Sequence, residues 1–242
     1  MARFSAVVLA VLSCAGSAGA GLHTSTAADN AWLIIVDDLH VPFVHTGRLR
    51  DLLRKVAAEL IQEGDRSVFR ATGPSASSLT TTTLVDDRTL AAHAIKFMTG
   101  NALKESDIVL GGFTTSPTNE VLYRANTALD AAEDAMFALT TDAAPRQAIV
   151  YVGSGYDIEA FPAIGDRVRA FARRARENNI TIFAIDARGL EPLPIPNSSD
   201  AWLRYAAAAR RSLASMTEVA GGFVIENPAR PGALDGIGAQ MR

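Results

Sequence analysis

Trp32-Leu33-Ile34-Ile35-Val36-Asp37-Asp38 is an unbroken apolar run that stops on two carboxylates. A strand with one wet face alternates apolar and polar residues. A continuous apolar run bounded by polar ones predicts a strand buried on both faces, as in a parallel sheet covered by helices on each side. The same pattern returns at Ala148-Ile149-Val150-Tyr151-Val152, ending in Gly153-Ser154-Gly155, and at Thr181-Ile182-Phe183-Ala184-Ile185, ending in Asp186.

Helical stripes lie between these runs. Leu122, Ala125, Leu129, Ala132, Met136 and Leu139 step by three and four residues, the clearest amphipathic helix in the chain. Leu49, Leu52, Leu53, Val56 and Leu60 form another, with Gly64 as its stop, and Ile164, Val168, Phe171 and Ala175 a third. Trp202, Tyr205, Ala209, Leu213 and Met216 form a fourth, leading through Gly221-Gly222 to Phe223-Val224-Ile225. Asp86 or Asp87 caps a helix through Leu90, Ala94, Phe97 and Met98. Ser67-Val68-Phe69 reads as a short strand, and the Ser/Thr-rich stretch up to Leu84 as an edge strand. Strand–helix alternation of this kind predicts an α/β domain: a Rossmann-like open, mainly parallel sheet with helices on both faces. No linker or repeat divides it, so residues 31–242 are read as one domain, after a short segment at 21–30. The last helical pattern, Asp235 to Arg242, stops almost as it begins, which leaves open whether the natural chain continues.

Residues 1–20 read differently. Arg3, an apolar run from Phe4 to Leu12, and Ala18-Gly19-Ala20 follow the order of a secretory signal peptide, with cleavage expected after Ala20. The run is far short of the roughly 20 apolar residues of a membrane-spanning helix. Val11-Leu12-Ser13-Cys14 weakly resembles a lipoprotein box; simple cleavage is the expectation, with a lipid anchor at Cys14 the lesser alternative. The expected location is the periplasm or the cell exterior.

Composition narrows the function. With 242 residues, 48% of them hydrophobic and 20% charged, the chain is of ordinary globular usage, not disordered or fibrous. A net charge of −3 and a pI near 5.8 give a nucleic-acid partner no support. Cys14 is the one cysteine, which excludes a disulfide framework and a multi-cysteine zinc site.

In an open α/β sheet, ligands bind at the carboxyl ends of the strands. That singles out Asp37 to His45, Gly111 to Glu120 (with Thr115), Gly153 to Phe161 and Asp186 to Asp200. Asp37, Asp38, His40 and His45 suit a cation or acid–base work, against the plainer reading of a capped loop with solvated histidines. Gly153-Ser154-Gly155 lacks the outer glycines of a nucleophile elbow and the third glycine of a dinucleotide loop, so a tight turn explains it. Gly111-Gly112 lacks the lysine of a phosphate loop. Arg167, Arg169, Arg173, Arg174 and Arg176 suit an acidic partner or, more ordinarily, a solvated helix face. Pro192, Pro194 and Pro196 stiffen a long loop that reads as a specificity loop.

Taken in order, four segments resemble a von Willebrand factor A-type (VWFA) domain of the secreted bacterial group. Leu33-Ile34-Ile35-Val36-Asp37 resembles its first strand with the metal-site Asp, and Gly64-Asp65-Arg66-Ser67-Val68 the lead-in to its second. Ile149 to Asp157 stands where the family has a strand ending in Ser-Asp-Gly. Asn178 to Asp186, followed by Leu213 to Phe223, resembles its closing segments. The resemblance implies a protein-binding role and a Mg²⁺ site built on Asp-x-Ser-x-Ser. Asp37 matches that Asp, but Leu39 and Val41 stand at the serines, Glu120 at the family's Thr and Ser154 at its later Asp. Leucine and valine offer no oxygen to a cation that wants near-octahedral oxygen coordination, so no metal and no cofactor are expected. The reading is an exported, non-catalytic, metal-independent module that binds a protein partner. Its binding face is Asp37, Asp38, His40, Thr115, Glu120, Ser154 and Asp157. The alternative is a secreted hydrolase or metal-dependent enzyme using Asp37, Asp38, His40 and Ser154.

Overall fold

All three apolar runs are strands: β1 (Asn30–Val36), β3 (Arg146–Gly153) and β4 (Ile180–Asp186). They are joined by β2 (Arg66–Ala71) and the short β5 (Val224–Ile225) in one sheet of order β2-β1-β3-β4-β5, parallel throughout. The structure, a computed structural model, describes residues 30–79, 81–104, 107–108, 115–190 and 200–242, and of 115–118 the backbone alone. Residues 1–29, with the expected signal segment and Cys14, Gly111-Gly112 and the loop of Pro192, Pro194 and Pro196 lie outside the described residues. Among the described residues no helix is long and apolar enough to cross a membrane.

Every residue of β1 is buried, and alternate side chains serve different cores. Trp32, Ile34 and Val36 pack with α1 (Thr46–Glu59), α2 (Arg88–Phe97) and the final helix α6 (Asp235–Met241), which inserts Ile237 and Met241. Leu33 and Ile35 pack with α3 (Thr115–Thr140), α4 (Pro162–Glu177) and α5 (Asp200–Ala220). Fully burying one such aliphatic side chain contributes about 1.5–3 kcal/mol, so a strand without a polar face is stable only between two helical layers. The order 2-1-3-4-5 makes the sheet doubly wound, with its topological switch point between β1 and β3.

Register sets the level at which each strand ends. Val36 lies opposite Ala71 and Val152, and Gly153 opposite Asp186. Thr72, Asp37, Gly153 and Asp186 therefore leave the sheet in one row along its carboxyl edge. The opposite edge is anchored by buried Asp65, whose carboxylate accepts from Asn30 N (3.1 Å), Asn30 Nδ2 (2.9 Å), Trp32 Nε1 (2.9 Å) and Gln62 N (3.0 Å).

Several details differ from the sequence reading. The Ser/Thr-rich stretch makes one antiparallel bridge, Ser67 to Val85, in place of an edge strand. α1 ends at Glu59, and Gly64 instead turns the chain with φ 89° into Asp65. α2 is capped by Asp87, which accepts from Thr89 N at 2.8 Å, but its buried face is Ala91, Ala94 and Ile95, with Phe97 turned outward. Two of the five arginines of α4 tie helices together, while Arg173 and Arg176 are exposed on the solvated face. Arg167 bonds Asp130 (2.6 Å) and Asn126 (2.7 Å), Arg174 reaches Glu133 (3.1 Å), and Arg169 pairs with Asp166 within its own helix (2.6 Å).

Candidate functional site

Immediately after Val36 the chain turns into a short 3-10 helix (Asp38–His40), which places Asp37, Asp38 and His40 together at the switch point. Asp37 is fully buried. His40 Nδ1 lies 2.8 Å from its Oδ1 and 3.0 Å from its Oδ2, Thr72 Oγ1 donates to Oδ1 at 3.0 Å, and Tyr151 OH donates to Oδ2 at 2.8 Å. A carboxylate offers about four lone-pair sites; three donors face them, the single His40 N–H being shared between both oxygens. Burial alone pushes the Asp37 carboxyl up, but the facing His40 and the bonds from His40, Tyr151 and Thr72 outweigh it and hold it below the ordinary value. An ionised Asp37 accepts, so Nδ1 of His40 carries the hydrogen of that bond.

Asp38 is the opposite case. Its carboxylate takes Gly73 N at 2.6 Å and Ser75 N at 2.9 Å, yet burial dominates and raises it above the ordinary value. Tyr151 and Tyr156 share a short hydroxyl–hydroxyl bond, and burial with the Asp37 charge pushes both phenols well above their ordinary value. Both stay protonated: Tyr151 donates to Asp37, which leaves Tyr156 to donate to Tyr151. The His40 ring meets Tyr156 edge-on at 5.1 Å.

Gly153-Ser154-Gly155 is a packing turn. A Cβ at Gly153 would lie 2.8 Å from Asp37 Cβ, and one at Gly155, where φ is 75°, would lie 2.2 Å from Ala209 O. Ser212 Oγ accepts from Tyr156 N at 2.8 Å and donates to Ala209 O at 2.7 Å, which fastens the turn to α5.

A cavity of about 1050 Å³ opens across this carboxyl edge. Leu39, His40 and Pro42 border it after β1, Leu52 on α1, Ser154 after β3, Ala187 and Leu190 after β4, and Trp202, Leu203 and Tyr205 on α5. Trp202 and Tyr205 stack with centroids 5.2 Å apart, and burial pushes the Tyr205 hydroxyl up to about 12. The far wall includes Ala102 and Leu103; the segment leading to them is held by Asn101 N to Asp38 O (2.7 Å) and Ala102 N to Val41 O (3.0 Å). Leu203, in its lining, is 56% exposed; Phe43 and Val44, which follow the lining residue Pro42 in sequence, are 69% and 80% exposed.

Of the residues picked from sequence, Asp37, Asp38, His40 and Ser154 come together, and His40 and Ser154 line the cavity. Glu120 instead pairs with Arg124 at 2.6 Å, and Asp157 caps the turn after β3 by accepting from Glu159 N and Ala160 N; neither lines the cavity. Thr115 opens α3, and its side chain lies outside the described residues. The sequence reading missed Thr72, Tyr151 and Tyr156 as partners of Asp37. One signal was available: Tyr151 is the lone hydroxyl in an otherwise aliphatic buried strand.

The donor set does not fit a divalent cation. The lone pairs of Asp37 already point at three protein donors, and Leu39 and Val41 are buried and apolar. Among the described residues no three His, Cys, Asp or Glu side chains converge as metal ligands. Nor does Ser154 make a nucleophile–base contact: its Oγ is buried and, among the described residues, without a hydrogen bond to His40 or any other group.

No protein-family model matches the chain, and no curated protein is similar to it. The solved N-terminal domain of TFIIH p34 is similar at 15% identity over 88% of this chain and 97% of that one, with a TM-score of 0.37. A likeness of that degree leaves the fold to rest on the sheet order and register described above.

Proposed function

We propose that this protein is an exported, non-catalytic, VWFA-like binding module that holds a protein partner in the cavity at its strand ends, without a metal. The observation that carries the reading is the cavity itself. Its walls are mainly apolar, Leu203 in its lining is 56% exposed, and its volume of about 1050 Å³ stands at the top of the roughly 300–1,000 Å³ range of binding clefts. An apolar concave face open to solvent marks an interaction site. Export is supported by the order of charge, apolar run and small residues in Met1–Ala20.

One observation favours a catalytic reading: Asp37 orients His40 through Nδ1, as a carboxylate orients a general base. That arrangement needs a nucleophile in contact with the imidazole, and Ser154 Oγ makes no such contact. Turnover of a panel of esters, phosphates and peptides is therefore expected to be nil. Activity that disappears in His40→Gln would reverse this.

The test of the binding reading is site-specific photocrosslinking of the full chain in its native cell. A photoreactive residue at Leu203 is expected to capture a discrete protein. The same group at Phe137, 70% exposed on α3, is expected to capture none, and chelator leaves the yield unchanged. Equal labelling from both positions, no adduct from Leu203, or loss of the adduct in chelator overturns the proposal. N-terminal sequencing of the mature protein, expected to begin at Gly21, tests export.

A further inference from the structure

We propose that the partner segment taken by this cavity is acidic as well as apolar, its carboxylates read by Arg48 and Lys55 of α1; the inference rests on the binding reading above. Five cationic side chains line the cavity (Arg48, Lys55, Arg124, Arg188 and Arg210) against two acidic ones, Asp51 and Glu226. Most of this charge is cancelled within the protein. Arg188 grips buried Asp186 through Nε to Oδ1 and Nη2 to Oδ2, both at 2.8 Å. Arg210 Nε lies 3.4 Å from the same carboxylate and 4.0 Å from Glu226. Arg124 pairs with Glu120 at 2.6 Å, and Asp51 with Arg54 at 2.5 Å.

Among the described residues, Arg48 and Lys55 remain without a carboxylate. Arg48 Nη1 bonds Leu190 O at 2.6 Å and Lys55 Nζ reaches Arg230 O at 3.4 Å. Carbonyl oxygens hold these side chains in place but carry no net charge to cancel theirs. Seven residues apart is nearly two helical turns, so the two cations share one face of α1 about 10 Å apart, with Leu52 between them. Asp51 lies between them on the same face but is taken by Arg54, so on a protein of net charge −3 one wall of the binding cavity presents two cations bonded to no carboxylate, around an apolar side chain. The complementary surface is an apolar side chain flanked by carboxylates. Opposite charge of this kind selects partners and speeds encounter more than it adds raw affinity.

Random peptides displayed on phage, panned against the full chain, supply the probe, and a selected peptide is then titrated by fluorescence anisotropy. The expected peptides combine Leu, Phe or Trp with Asp or Glu. Affinity is expected to fall about tenfold in Arg48→Glu/Lys55→Glu, less in Arg48→Gln/Lys55→Gln, and to weaken as salt rises from about 0.05 to about 0.5 M. Arg173→Glu/Arg176→Glu on α4, away from the cavity, is expected to leave it unchanged. Melting curves check that each variant folds. Selected peptides without acidic bias, or affinity indifferent to the double charge reversal while Leu203→Arg still abolishes binding, overturn the acidic partner and leave the binding reading intact. Failure to select any peptide, or binding indifferent to Leu203→Arg, overturns both.

Discussion

Asp37 and Asp38 are adjacent, both fully buried, and shifted in opposite directions. The difference lies in what faces them: a histidine, a threonine and a tyrosine for Asp37; for Asp38, which has no cation beside it among the described residues, backbone N–H groups and the Asp37 charge, which adds to the upward push of burial. Because its folded value is lowered, Asp37 contributes stability that is complete above the unfolded carboxylate range and is lost as pH falls through the folded value. Asp38, raised, acts in the other sense: its contribution is complete at low pH and is lost as pH rises through its folded value. Asp37→Asn puts an NH₂ where donors already point, and is expected to destabilise by about 2–4 kcal/mol at pH 7. Urea unfolding of the pair is expected to show that gap narrowing below about pH 4; a gap constant down to pH 3 would mean that Asp37 titrates alike in the folded and unfolded chain, and a gap that widens as pH falls from 7 that it is neutral in the fold. Gly155→Ala tests a backbone constraint. With φ 75° and a new Cβ 2.2 Å from Ala209 O, it is expected to lower stability by about 2–4 kcal/mol in the same assay. That the Gly-Ser-Gly is a turn was legible from its spacing. That Gly155 is obligatory was not, because the carbonyl it avoids belongs to α5, more than fifty residues away.

At the scale of elements, periodicity carried furthest where a segment packs on one face against the sheet. All but one of the α3 stripe residues read from sequence are fully buried, Leu122 at the solvent end being half-buried. α2 was placed correctly and its face read in part: Ala94 and Met98 are buried, but Leu90 and Phe97 are not, because the helix's apolar residues wrap around it and the contact with β2 and α1 selects Ala91 and Ile95 instead. Trp202 and Tyr205 continue the α5 stripe in sequence but stand beyond the sheet edge, so they wall the cavity instead of filling the core. Asp65, read only as part of a lead-in motif, joins β1 to the approach of β2 through four donors. Asp65→Ala strands those donors, each costing about 1–3 kcal/mol when buried and unpaired, so a total loss of about 3 kcal/mol or more is expected. Trp32 fluorescence follows the unfolding directly, since its indole Nε1 is one of the four donors. A variant as stable as the parent would show that water replaces the carboxylate.

At the scale of the whole molecule, the winding of the chain decides where function sits. Helices cover opposite faces on the two sides of the β1–β3 boundary, so the loops after those strands diverge and leave a crevice between them. In this protein the crevice holds an acidic residue at the end of β1, where a cation is the obvious occupant. The structure fills that role from within: His40, Thr72 and Tyr151 donate to Asp37 and take up lone pairs that a metal would need. A cation that bound only the native state would, at a hundred times its dissociation constant, add about 2.7 kcal/mol and raise the Tm of a domain this size by about 5–10 °C. Thermal unfolding of the full chain in millimolar Mg²⁺, Mn²⁺ or Ca²⁺ is expected to match unfolding in EDTA. Asp37→Ala is expected to lower the Tm by the same amount in each buffer, because what it removes is a hydrogen-bond acceptor and not a ligand. A stabilisation by one cation that vanishes in Asp37→Ala would show that His40 swings aside to admit a metal, and would make the internal network a latch on a metal site.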